Sequence, residues 1–132
     1  MGQPRMTPPV IERWLRFATE GDAAELDALL DDDVVFHSPV VFTPQEGRVK
    51  TAAYLLAAEK MFSQGDFRYV HQWYADRSAV LEFRAELDGI TIEGIDMIFW
   101  NEADKIESFT VMMRPLKALH TIMPKMAELL GL

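Results

Sequence analysis

Residues 90–100, ITIEGIDMIFW, constrain the fold more than any other stretch of the chain. On a strand, side chains two apart share a face, so Asp96 points with Gly94, Ile98 and Trp100. Ile95, Met97 and Phe99 then point the other way, and both faces are apolar. Such a sheet needs cover on both sides. Helices of the same chain can supply one cover, and a second subunit the other. Asp96 is the only charged side chain in residues 94–100. A carboxylate among such neighbours loses hydration, which raises its pKa above the ordinary value of about 3.9 and suits it to proton transfer near neutral pH. The alternative is a structural carboxylate that caps a backbone group or pairs with an arginine.

The rest of the chain reads as helices first and strands after. Thr7 with Pro8 and Pro9 predicts a helix start with a hydroxyl cap. Val10, Ile11, Trp14, Leu15, Phe17 and Ala18 follow at helical spacing. Gly21 ends that helix, and Asp22 caps a second one with Ala23, Leu26, Leu29 and Leu30 apolar. Asp31, Asp32 and Asp33 read as a solvated turn, since they lack the glycine and distal glutamate of a calcium loop. A short strand is expected over 34–38, ended by Pro39, then a loop over 39–47 and an alanine- and leucine-rich helix over 48–62. Strands follow over 67–74, 78–87, 90–100 and 106–113, with Asp88-Gly89 marking a hairpin. Residues 116–130 predict a closing helix that Pro124 kinks or interrupts. This order is α+β, with helices segregated to one face of an antiparallel sheet.

The 132 residues fit one domain, 1–132, able to bury a core without staples. A hydrophobic share of 49% argues against wholesale disorder. The absence of cysteine excludes disulfides, thiolate metal sites and cysteine nucleophiles. His37, His71 and His120 lie far apart without metal-ligand spacing, so neither a metal nor a cofactor is expected. A net charge of -8 repels phosphate backbones and anionic membranes, which disfavours nucleic acid as a partner. No apolar run approaches the roughly 20 residues of a membrane span. Met1 to Met6 lack an apolar signal core, and Met6 stands where myristoylation prefers Ser or Thr. The segment reads as a short frayed lead into a cytoplasmic protein.

Several pieces, in order, resemble a known family. Glu12-Arg13-Trp14 through Glu20-Gly21-Asp22, Leu29 to Val34, Ser38-Pro39, Ile95-Asp96 and Asp104-Lys105-Ile106 resemble the SnoaL-like polyketide cyclase and ketosteroid isomerase branch of the nuclear transport factor 2-like superfamily. The resemblance implies a cone-shaped curved antiparallel sheet with three N-terminal helices enclosing one apolar pocket, plus a C-terminal helical segment, usually as a homodimer. It implies a small apolar ligand, polyketide- or steroid-like. It does not fix a reaction, because cyclases, isomerases, dehydratases, epoxide hydrolases and non-catalytic binding modules share the fold. Where ketosteroid isomerases carry a tyrosine, an aspartate base and an aspartic acid, this chain matches Trp14, Ser38 and Asp96. Only the last is a carboxyl. Steroid isomerisation by that mechanism is thus disfavoured, and the SnoaL-like use of an aspartate acid/base at the Asp96 position fits better. The second carboxylate of an epoxide hydrolase is missing from Phe109-Thr110-Val111-Met112.

Asp96 is therefore the expected acid/base, with Trp14, Ser38, Tyr54, His71, Trp73 and Phe109 as candidate ligand-binding residues. Strand alternation puts Tyr69, His71 and Trp73 in one row, a polar-aromatic pocket wall or, equally, an ordinary core histidine with its neighbours. Trp14 and Tyr54 suit core packing as well as ligand contact. Alternation also turns His37 away from Ser38. Trp14, Tyr54 and His71 are possible donors to a developing oxyanion. Two non-enzymatic readings of the same fold stand beside catalysis: a small-molecule binding protein, and a dimeric interaction module whose pocket its own side chains fill.

Overall fold

The computed structural model describes residues 6–132, so most of the expected N-terminal lead lies outside the described residues. Helix α1 (Pro9–Glu20) buries Val10, Ile11, Trp14 and Phe17 on one face. Its N-cap is Pro8 without a side-chain cap, not the Thr7 hydroxyl; Thr7 Oγ1 instead lies 3.3 Å from the Tyr74 hydroxyl. Gly21 ends α1 in the left-handed region at φ 70, and its N–H bonds the Phe17 carbonyl. Asp22 caps α2 (Ala23–Leu29) through the Ala24 N–H. Helix α3 (Arg48–Ser63) and α4 (Leu116–Leu129) complete the helical layer, and α4 continues through Pro124 without interruption. Losing one N–H there is tolerated where Ala118 and Ile122 hold the helix by burial.

The strands are β1 (Leu30–His37), β2 (Gln45–Glu46), β3 (Arg68–Tyr74), β4 (Ser78–Leu87), β5 (Ile90–Trp100) and β6 (Ile106–Arg114). They form one curved, open sheet in the order β2-β1-β6-β5-β4-β3. The sheet is mixed, not wholly antiparallel: β1 runs parallel to β6. Hairpins enforce antiparallel pairing only between strands joined by tight turns, and the long path from β1 to β6 leaves their direction free. Two-residue β2, inside the expected 39–47 loop, pairs with β1. The expected Asp31-Asp32-Asp33 turn lies within β1, where the register shifts between Leu30 and Val35. A bulge leaves residues unpaired and solvated, which these carboxylates favour. Between β4 and β5, Asp88 (φ 52) and Gly89 (φ 76) make the hairpin turn.

The buried side chains form two clusters. One joins α1 and α2 to Phe36, Leu55, Leu81, Ile98 and Phe109; the other joins Met61, Phe83, Ala85 and Ile92 to Ala118 and Ile122 of α4. Tyr69 and Val111 pack against both. Gly94 makes this junction possible. A Cβ there would run into the Phe83 ring and lie 2.7 Å from the Met112 carbonyl oxygen, so only glycine lets the ring cross β5. No helix among the described residues is long and apolar enough to cross a membrane.

Candidate active site

Where the two clusters meet, the core is hollow. A cavity of about 310 Å³ is lined by aromatic and aliphatic side chains from α1, α3, α4 and the concave sheet face, with Asp96 in its wall. Asp96 stands midway along β5, paired with Leu81 and Val111, and is 6% exposed. Alternation holds along this strand: Gly94, Asp96, Ile98 and Trp100 are buried, whereas Ile95 and Met97 are half-buried and Phe99 exposed.

Asp96 is anchored by a chain of hydrogen bonds. The Trp14 indole N–H donates to the Tyr69 hydroxyl at 2.9 Å, and that hydroxyl donates to Asp96 Oδ2 at 2.6 Å. Among the described residues no arginine or lysine faces the carboxyl, so the structural ion-pair alternative fails. Burial pushes the Asp96 pKa from 3.8 up to about 7, and the Tyr69 hydrogen bond holds it from rising further. Burial, then the neighbouring Asp96 charge, raise Tyr69 well above its ordinary value, so Tyr69 stays a neutral donor. Oδ1 makes no hydrogen bond to any described residue. Half of the carboxyl is thus fixed, and the other half is free to meet a molecule in the cavity.

Of the sequence candidates, Trp14, Ser38, Tyr54 and Phe109 line this cavity with Asp96. Trp14 packs on Phe109 (4.7 Å between ring centroids), and Phe36 bridges Phe109 to Tyr54. Ser38 Oγ accepts from the Val40 N–H, leaving its O–H to donate, and Tyr54 makes no hydrogen bond among the described residues. His37 pairs with Thr110 on β6 and is not part of the lining.

His71 and Trp73 are corrections. The β3–β4 register slips between Tyr69 and His71: Tyr69 sits opposite Phe83, and His71 already opposite Glu82. This bulge at Val70 sends Tyr69 inward and turns His71 and Trp73 to the convex face. There His71 Nδ1 meets Glu82 Oε1 at 2.8 Å, and Trp73 is 56% exposed. Neither lines the cavity. Alternation placed the three in one row, and no residue type in Arg68 to Tyr74 signals the slip. Tyr69, which belonged to that row but was not among the candidate ligand-binding residues, is the direct partner of Asp96. Glu59 was missed too, although Leu55, Glu59 and Phe62 at helical spacing share one face of α3 and all line the cavity. Among the described residues no group of three histidines or carboxylates stands close enough to hold a metal ion.

The architecture is that of the α+β cone: helices packed into a curved sheet around an apolar hollow with one buried acid. The chain belongs to the SnoaL-like domain family, whose model matches residues 11–109, within the nuclear transport factor 2-like superfamily. Among solved structures it is similar to a steroid delta-isomerase from Pseudomonas aeruginosa, with 31% identity, a TM-score of 0.87, and coverage of 92% of this chain and 89% of that one. It is also similar to an uncharacterized bacterial protein with a cystatin-like fold from Silicibacter pomeroyi, with 32% identity, TM-score 0.84, and coverage of 91% and 84%. The epoxide hydrolase/cyclase-like enzyme SalBIII, at 16% identity, TM-score 0.66 and coverage of 81% and 89%, shares the fold alone. No curated protein sequence matches the chain.

Proposed function

We propose that the protein is a proton-transfer enzyme of the isomerase or cyclase type, acting at the carbon beside a carbonyl in a small apolar ketone or enone. The carrying observation is the free Asp96 Oδ1, on a buried carboxyl with a pKa of about 7, facing an apolar cavity. Near neutral pH both protonation states are populated, the condition for one group to take a proton from one carbon and return it to another. As the proton leaves, the electron pair moves onto the carbonyl oxygen. The Tyr54 and Ser38 hydroxyls are the donors that would meet this charge. Trp14 is not one of them, because its N–H is spent on Tyr69; His71 is on the other face. The steroid delta-isomerase relative supports a polycyclic or polyketide-like ketone as ligand. With Ser38 in place of a second carboxyl base, the chemistry rests on Asp96.

The test is α-hydrogen exchange of cyclohexenone and phenylcyclohexanone in deuterium oxide, followed by proton NMR. The native protein should accelerate exchange, by the order of 10²–10⁴-fold typical of positioned acid/base groups, and Asp96→Asn should abolish it. Ligand binding without exchange in the native protein would favour the binding-protein reading.

We further propose a homodimer through the convex face. Trp73, Val80, Met97 and Thr110 are cross-strand neighbours there, and Ile95 pairs with exposed Met112. The ion pairs Arg84–Glu93 and Arg114–Glu93, across β4, β5 and β6, form a polar border. An apolar centre with a charged border is the usual anatomy of a subunit contact.

A further inference from the structure

A second carboxylate lines the cavity, and it has no partner among the described residues. Glu59 projects from α3, half-buried, and makes no hydrogen bond or ion pair with any described residue. Its carboxylate lies against the C-terminal end of α1: a Cβ on Gly21 would be 2.7 Å from Glu59 Oε1. Among the described lining residues, none is lysine, arginine or histidine. The described lining therefore holds two carboxyls and no cation.

The two carboxyls reach α1 at different points. Trp14, which anchors the Tyr69–Asp96 end, and Gly21, which touches Glu59, lie two turns apart on α1, on the order of 10 Å. We propose that Glu59 is a specificity-determining residue for the far end of the ligand. It accepts a hydrogen bond from a hydroxyl or protonated amine on the part of the ligand away from the carbonyl at Asp96, and it turns away ligands that carry a carboxylate or phosphate there. The inference rests on the cavity being a ligand site, as proposed above.

Phenylcyclohexanone, with its carbonyl at one end, serves as the probe, carrying hydrogen, hydroxyl, dimethylaminomethyl or carboxyl at the para position of its ring. Affinities are measured by calorimetry for the native protein, Glu59→Gln and Glu59→Ala, after circular dichroism has established that each is folded. The native protein should bind the hydroxyl and dimethylaminomethyl ketones roughly ten-fold or more tighter than the unsubstituted one, and the carboxylated ketone most weakly. Glu59→Gln should remove the ammonium preference and relieve the carboxylate penalty. Glu59→Ala should remove the hydroxyl preference as well. The unsubstituted ketone should bind all three proteins alike. Equal affinity of the native protein for all four probes overturns the inference while leaving the ligand site standing. Failure of every probe to bind overturns both.

Discussion

Replacing Asp96 with Asn keeps the side chain's shape and its hydrogen bond from Tyr69 but removes the titrating group. The folded protein holds the Asp96 proton with a pKa of about 7, against 3.8 for an ordinary aspartate. Between these values the folded state carries a proton that the unfolded chain has lost. The stability contributed by this group is therefore full below about pH 4 and falls as pH rises to about 7, then levels off. At about 1.4 kcal/mol per pH unit, the loss approaches about 4 kcal/mol. Asp96→Asn escapes it. Thermal melts from pH 4 to pH 8 should show the two proteins nearly matched at pH 4 and the variant ahead at pH 8. At roughly 3–5 °C per kcal/mol for a chain of this size, the gap should exceed about 10 °C. Other carboxylates cancel in the difference between the two proteins, so the readout belongs to Asp96. A difference that stays flat with pH, or a native protein that gains on the variant as pH rises, would refute the desolvated-acid account and with it the proton-transfer proposal.

Tyr69→Phe removes the hydrogen bond that favours the charged carboxylate, so the Asp96 pKa should climb above its native value; a fall in NMR titration of the carboxyl would contradict the anchoring role. The same change strands the Trp14 N–H and should cost about 1–3 kcal/mol in urea unfolding. Gly94→Ala should cost a similar ~1–3 kcal/mol, because the new methyl meets the Phe83 ring and the Met112 carbonyl; unchanged stability would mean that the ring does not cross β5 as described. Met97→Glu, in the middle of the convex apolar patch, should convert a dimer to a monomer in light scattering, and a native protein already monomeric at micromolar concentration would remove the dimer proposal.

The fold was largely legible because its signals are local and periodic. The amphipathic spacing of Val10, Ile11, Trp14 and Phe17 predicts α1, the Asp22 cap and Gly21 stop place the helix boundary, and the alternation of Ser78 to Trp100 with Asp88-Gly89 predicts the central hairpin. The inward placement of Asp96 needed nothing more than the two-residue repeat of its strand. What the sequence left open depends on contacts between distant segments. The parallel pairing of β1 with β6, the bulges within β1 and β3, and the hydrogen-bond chain joining Trp14, Tyr69 and Asp96 are settled only when separate strands meet. The Val70 bulge is the clearest case. Shifting one strand by a single residue exchanges its faces, so it alone sent Tyr69 to the buried acid and His71 with Trp73 to the outside. Residue identity set a carboxylate among apolar neighbours on β5 and left its partner open. Tertiary packing decided which hydroxyl would hold it, and that Glu59 would face the same hollow without a partner among the described residues.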